Sequence, residues 1–323
     1  MKRILPLLLA VLLLAGCAGG NQPDTETNES GTGEPEGLRI VSTVFPGYDF
    51  ARAVAGDLAE VTLLLPPGME SHSYEPTPAD ILAVQECDLF ICLGGESDAW
   101  VDTILSAVEP NGEILRMMDC VELLEEETVE GMESQEHDHD ENGLGEVMEL
   151  DEHVWTSPRN AADITTAIGE TLAGMDGSNA EIYRENAAAY AGELENLDQR
   201  FADFFAGVEH PVMVFGDRFP LRYFVERYGV EYYAAFPGCS TQTEPSAATV
   251  AFLTEKVKTE QIGTVWYIEF SNHLVADSIA EAAGADTALF HTCHNVTQEE
   301  MDSGATYISL MEGNLERLQQ AFS

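Results

Sequence analysis

The chain has 323 residues, 45% of them hydrophobic, enough for one large or two medium domains with a real core. It carries 14 Lys+Arg against 58 Asp+Glu, a net charge of −44. A surface of that sign repels phosphate backbones, which excludes a nucleic-acid partner and favours encounters with cations.

Residues 1–17 have the form of a signal peptide: Lys2 and Arg3, then an apolar run from Ile4 to Ala15 that is too short to span a bilayer comfortably. Its end, Leu14-Ala15-Gly16-Cys17, resembles a bacterial lipobox, so Cys17 is read as the lipidated residue. Residues 18–37 are Gly, Pro, Thr and Glu with almost nothing apolar, a disordered tether. The expected location is therefore extracytoplasmic, with the chain held to the bacterial cell membrane by lipid. Beyond Cys17, the five cysteines Cys87, Cys92, Cys120, Cys239 and Cys293 are odd in number, and their pairing does not follow from sequence.

Strands are expected at Leu38–Val44, Val61–Leu65, Asp88–Leu93 and Glu113–Met117, with helices at Tyr48–Ala59, Pro78–Glu86 and Ala99–Val108 between them. Such alternation predicts a parallel α/β layer. Thr77-Pro78 and Ser157-Pro158 mark helix starts, with the hydroxyl residue at N-cap and Pro at N1. Met118–Glu152 holds 15 acids and no Lys or Arg, and includes His137 and His139, which reads as a long acidic surface loop. Those two histidines are either incidental or a weak metal-collecting antenna.

Ser178-Asn179-Ala180-Glu181 has the pattern of a capping box. After it Tyr183, Ala187, Tyr190, Leu194, Leu197, Phe201 and Phe204 recur at helical spacing as a core-packing stripe. About 28 helical residues would span roughly 42 Å. A second α/β set follows, with strands at Pro211–Phe215, Val230–Ala235, Thr264–Phe270 and Asp286–Phe290 and a last helix ending near Phe322. The fold class is α/β: two lobes, each a mainly parallel sheet flanked by helices, joined by one long spanning helix. The expected boundaries are 38–177 for the first lobe including an acidic loop at 119–152, 178–208 for the linking helix, and 209–323 for the second lobe.

No HExxH, GxSxG or P-loop pattern is present among the residues. His72 and His153 each lie in a loop just before a helix, while His291, Cys293 and His294 follow the last strand. Loops at the carboxyl ends of parallel strands are where ligands bind, and imidazole and thiolate suit Zn²⁺.

Several ordered motifs then carry a resemblance: Leu65-Pro66-Pro67-Gly68 with His72-Ser73-Tyr74-Glu75-Pro76-Thr77-Pro78, Asp151-Glu152-His153-Val154-Trp155 with Pro158-Arg159-Asn160-Ala161, Tyr223-Phe224, and Glu244-Pro245-Ser246. Residues 38–323 resemble the ZnuA/TroA-like (cluster A-I) metal-binding receptors of ABC importers. The resemblance implies two lobes, a rigid linking helix, one metal buried between the lobes, and delivery to a membrane permease driven by an ATPase. It implies ligands at His72 and His153, and His291 falls at a further ligand position. The remaining one falls on Gly216, within Phe215-Gly216-Asp217-Arg218-Phe219, where no side chain is available. Asp217, Cys239, Cys293, His294 or water then compete for the fourth place, and Cys239 and Cys293 could instead form a disulfide. Arg218 is expected to pair with a carboxylate such as Glu269.

The expected cargo is Zn²⁺, with Mn²⁺ as the alternative because it favours carboxylates. The chain is read as a monomer and not as an enzyme. A surface adhesin or a zinc-dependent hydrolase, with Glu70, Glu75 or Glu152 as base, remains the reading from another class.

Overall fold

The computed structural model describes residues 37–323, except 71–73, 96–97, 109, 134–148, 239 and 241–243. Cys17, His72, His137, His139 and Cys239, with the leader and nearly all of the tether, lie outside the described residues.

The first lobe runs β1 (Leu38–Ser42), α1 (Phe45–Ala55), β2 (Ala59–Leu63), α2 (Pro78–Glu86), β3 (Leu89–Cys92), α3 (Ala99–Ala107) and β4 (Glu113–Arg116). Its four strands pair in parallel in the order β2-β1-β3-β4. β3 is buried at every position, as expected of a strand covered on both faces. α2 starts as its sequence dictates: the Thr77 hydroxyl accepts the Asp80 N–H, the Asp80 carboxylate accepts the Thr77 N–H, and Pro78 follows the cap.

α4 (Pro158–Met175) opens at the Ser157 cap and packs antiparallel-fashion beside α5 (Ala180–Ala206), a helix of 27 residues. The expected capping box does not form: Asn179 is the N-cap without a side-chain cap bond. Asp176 instead organises the turn before the helix, accepting from the Ser178 N–H, the Asn179 side-chain amide and the Tyr183 hydroxyl. The first half of α5 serves the first lobe, with Asn186 donating to Val54 O and Tyr190 to Asp49. Its second half serves the other lobe.

The second lobe contains β5 (Val212–Phe219), α6 (Arg222–Tyr228), β6 (Glu231–Pro237), α7 (Ala247–Thr259), β7 (Thr264–Ile268), α8 (Leu274–Ala283), β8 (Asp286–Phe290), α9 (Gln298–Ser303) and α10 (Tyr307–Ala321). Its strands are parallel in the order β6-β5-β7-β8. Against this lobe α5 sets Phe201 and Phe205 on Phe224, and Asp198 receives Arg227 and the Tyr228 hydroxyl. The sequence predicts one last helix; two form, because Gly304 at φ 77° ends α9 and Thr306 starts α10 with its own capping box.

One hydrophobic cluster runs from Ile40 and Phe50 through Leu194 and Phe201 to Phe224 and Phe290, so the lobes and the long helix share a continuous core. Val41, Phe90 and Cys92 head a satellite cluster in the first lobe, and Val214, Phe236 and Ile279 one in the second. Among the described residues no helix is long and apolar enough to cross a membrane.

Candidate metal centre

His153 is built in by its own neighbours. The chain leaves Asp151-Glu152, turns through a short 3₁₀ segment at Val154–Thr156, and enters α4. His153 is 1% exposed. Asp151 Oδ1 accepts the His153 N–H at 2.8 Å and faces its Nδ1 at 3.2 Å. That contact selects the tautomer protonated on Nδ1 and leaves Nε2 with a free lone pair, the pairing that orients metal-binding histidines. Burial alone would lower the imidazole pKa, but Asp151, together with Glu152 and Glu126, raises it. The Asp151 carbonyl in turn accepts the Tyr223 hydroxyl at 2.7 Å, tying this first-lobe segment to α6.

The facing wall comes from strand-end loops of the second lobe. His294 follows β8, and its ring lies 6.1 Å from that of His153 at a steep angle, with the Trp155 ring 5.2 Å away. Glu269, at the end of β7, is 8% exposed. Its carboxylate accepts the Thr292 N–H at 2.7 Å, the Thr292 hydroxyl and the His294 N–H at 3.3 Å. His153, His294, Glu269, Glu70 and Arg218 all line one cleft of about 20 Å³, enough room for a single ion or water.

The other expected residues sit elsewhere. His291 does not line the cleft. Its Nδ1 accepts the Cys293 N–H at 2.9 Å, and its Nε2 is 3.5 Å from Glu300 Oε1. Burial opposes protonation of His291, but Glu269 and Glu300 raise its pKa; the His291 contact holds Glu300 down at about 2. Asn314 brackets the His291 backbone, accepting its N–H and donating to its carbonyl.

Cys293 is a free thiol with 0% exposure, and burial pushes its pKa well up. It is therefore not in a disulfide with Cys239. Cys87, Cys92 and Cys120 are free as well. Asp217 turns to the backbone, accepting the Arg218 N–H at 2.8 Å and the Ile268 N–H at 3.3 Å. Burial raises its pKa against those bonds.

A β-carbon on Gly216 would lie 2.4 Å from Ala276 Cα in α8, so that position faces the helix and not the cleft. The β5 register shifts between Phe215 and Arg218, and this irregularity aims Arg218 inward. Arg218 pairs with Glu70 at 3.0 Å, across the lobes, instead of with Glu269. Sequence reasoning also missed Asn295, 1% exposed, whose amide donates to Pro66 O and Met69 O and so holds the loop that leads to His72. Among the described residues no group of three His, Cys, Asp or Glu is gathered tightly enough to hold a metal.

The sequence profile of the zinc-uptake complex component A family, periplasmic (ZnuA), matches residues 40–321. The chain belongs to this family. Among ZnuA relatives, the zinc-binding lipoprotein AdcA of Streptococcus pneumoniae R6 is 32% identical over 322 residues, covering 99% of this chain and 61% of that protein. The chain thus spans only part of that relative. The high-affinity zinc uptake system protein ZnuA of Bacillus subtilis is 30% identical over 311 residues, 96% of this chain and 94% of the relative. The crystal structure of the Zn(II)-bound ZnuA-like domain of pneumococcal AdcA matches with a TM-score of 0.72 at 30% identity, over 88% of this chain and 99% of that one. The two-lobe architecture expected from the sequence is the family fold.

Proposed function

We propose that this chain is the zinc-capturing receptor of an ABC importer: it binds Zn²⁺ in the cleft between its lobes and hands the ion to a membrane permease driven by an ATPase. The observation that carries this reading is the Asp151–His153 pair, which leaves His153 Nε2 free in a one-ion cleft opposite His294 and Glu269. The proposed ligands are His153, His294 and one oxygen of Glu269, which must draw together around the ion because the metal-free arrangement does not gather all three, joined by His72, which follows the loop that Asn295 anchors. His294 takes the place that sequence reasoning gave to His291. Two or three imidazoles and one carboxylate form a borderline donor set that suits zinc better than manganese. The names of the relatives, zinc-binding lipoprotein and zinc uptake protein, support the same cargo.

The ligands close around an ion in transit, so no catalysis is assigned. Lipid attachment at Cys17, an extracytoplasmic location and a zinc-collecting role for His137 and His139 complete the proposal. The test is calorimetric titration of the metal-stripped protein with Zn²⁺ and Mn²⁺, repeated for His153→Ala and His294→Ala. One tightly bound zinc, weakened at least about ten-fold in each variant, is expected; unchanged affinity in both variants overturns the assignment.

A further inference from the structure

Arg218 places a permanent positive charge in the wall of the cleft. The register shift in β5 turns Gly216 against α8, sends Asp217 to the backbone of β7 and brings Arg218 into the lining beside His153, Glu269 and His294. The Arg218 side chain is only 19% exposed, and its guanidinium meets Glu70 of the other lobe at 3.0 Å. A ligand wall for a divalent cation gains nothing from a like charge: in a partly buried site the repulsion is poorly screened, and one carboxylate offsets it only in part.

We infer that Arg218 is a resident counter-cation of the metal cleft: it holds zinc affinity below what the histidine and glutamate ligands alone would give, and it speeds release of the ion. Glu70 supplies the partner that Arg218 keeps when the cleft is free of metal. A receptor that must surrender its cargo needs such a limit, since ligands that bind without opposition release slowly. The inference rests on the zinc-receptor reading. It differs from a simple clamp between lobes, because removing a clamp weakens binding whereas removing an opposing charge tightens it.

The experiment compares Arg218→Gln, Arg218→Met and Arg218→Lys in the otherwise intact protein. Zinc affinity is read by competition with a chromophoric chelator and release by stopped-flow mixing into excess EDTA. The Gln and Met variants are expected to bind zinc tighter by on the order of ten-fold or more, mainly through slower release. The gain is expected to be absent from the Lys variant, which keeps the charge. Equal or weaker binding in the Gln variant, or in the Met variant should Gln fail to fold, overturns the inference. Zinc binding that ignores His153→Ala would instead overturn the receptor reading itself.

Discussion

Placing histidine at position 216, where the family resemblance expects a ligand, should damage the fold and add nothing to the metal site. A β-carbon there would sit 2.4 Å from Ala276 Cα, 2.6 Å from its N and 2.8 Å from its Cβ. Ordinary carbon contacts are about 3.5–4.0 Å, so α8 would have to retreat by roughly 1 Å. The obstacle is helix backbone that cannot rotate aside, and Ala276 is fully buried. Forcing extra methylenes into a packed core costs about 1–3 kcal/mol, which is the expectation for Gly216→Ala. The imidazole adds a buried polar ring without a partner, bringing Gly216→His to roughly 3 kcal/mol or more. At about 2–4 °C per kcal/mol for a chain of this class, the melting temperature should fall by roughly 6–12 °C. Thermal unfolding of the metal-stripped variants, followed by zinc titration, measures both effects. A Gly216→His protein as stable as the parent and binding zinc more tightly would refute the placement of β5 against α8.

Asp151→Asn should keep the turn but lose the charge that fixes the His153 tautomer; zinc affinity is expected to fall about 10–100-fold by calorimetry, with little change in metal-free stability. Zinc at 100 times its dissociation constant should stabilise the protein by about 2.7 kcal/mol. That stabilisation should shrink by about half or more in His294→Ala and persist in His291→Gln, which removes the ring's contacts to Glu300, Glu269 and the Cys293 N–H; the reverse pattern would restore His291 as the ligand. The Glu300 pKa, lowered to about 2 from 4.5, gives stability that is complete above pH 4.5 and lost as pH falls through 2. His291, raised from 6.5, contributes below that value and less as pH climbs through its folded pKa. Urea midpoints against pH should therefore show Glu300→Gln least stable relative to the parent between about pH 4.5 and 6.5, with a flatter acid limb.

The strand ladder was legible because each buried parallel strand is a short apolar run bounded by turn residues, as in Leu89–Cys92, and because Thr77-Pro78 and Ser157-Pro158 cap locally. The stripe of α5 was legible for the same reason: Tyr183, Ala187, Leu194, Leu197 and Phe201 are all buried, while Tyr190 is half-buried and the last step shifts from Phe204 to Phe205. The cleft was harder. Alternation tells which way a side chain points only inside a strand, and the loops that carry the site leave strand geometry at once. Cys293 adopts φ 62° and Phe270 φ 61°, so the direction of His294 and Glu269 depends on backbone reversals that no residue pattern announces. The pairing of Arg218 with Glu70 needed the register shift in β5 and a partner 148 residues away.

The contacts between the lobes divide into a rigid floor and a yielding mouth. At the floor, Asp49 of α1 accepts the Tyr190 hydroxyl at 2.6 Å and the Tyr307 N–H at 2.9 Å. Tyr307 donates its hydroxyl to Trp155 O, and the Trp155 indole N–H reaches Thr292 O at 2.8 Å. Tyr307 and Trp155 are both fully buried, so breaking each bond strands a polar group at about 1–3 kcal/mol apiece. At the mouth, the Glu70 side chain is 35% exposed; the N–H of exposed Gly68 bonds the carbonyl of buried Val296 at 2.8 Å, and buried Asn295 donates to the carbonyls of exposed Pro66 and Met69. Water can replace the Glu70 contact and reach the 66–69 side of the other bonds, so parting this edge strands groups only on the Asn295–Val296 side, whereas the floor would strand them on both. Metal entry should therefore proceed by parting the 66–70 and 294–296 loops while the α5 side of the molecule stays closed. Hydrogen exchange separates the two: zinc should slow exchange at the Gly68 amide markedly and leave the already protected Tyr307 amide unchanged. Comparable protection gained at both amides would mean that the lobes swing about the long helix as whole bodies, and that the floor is no stiffer than the mouth.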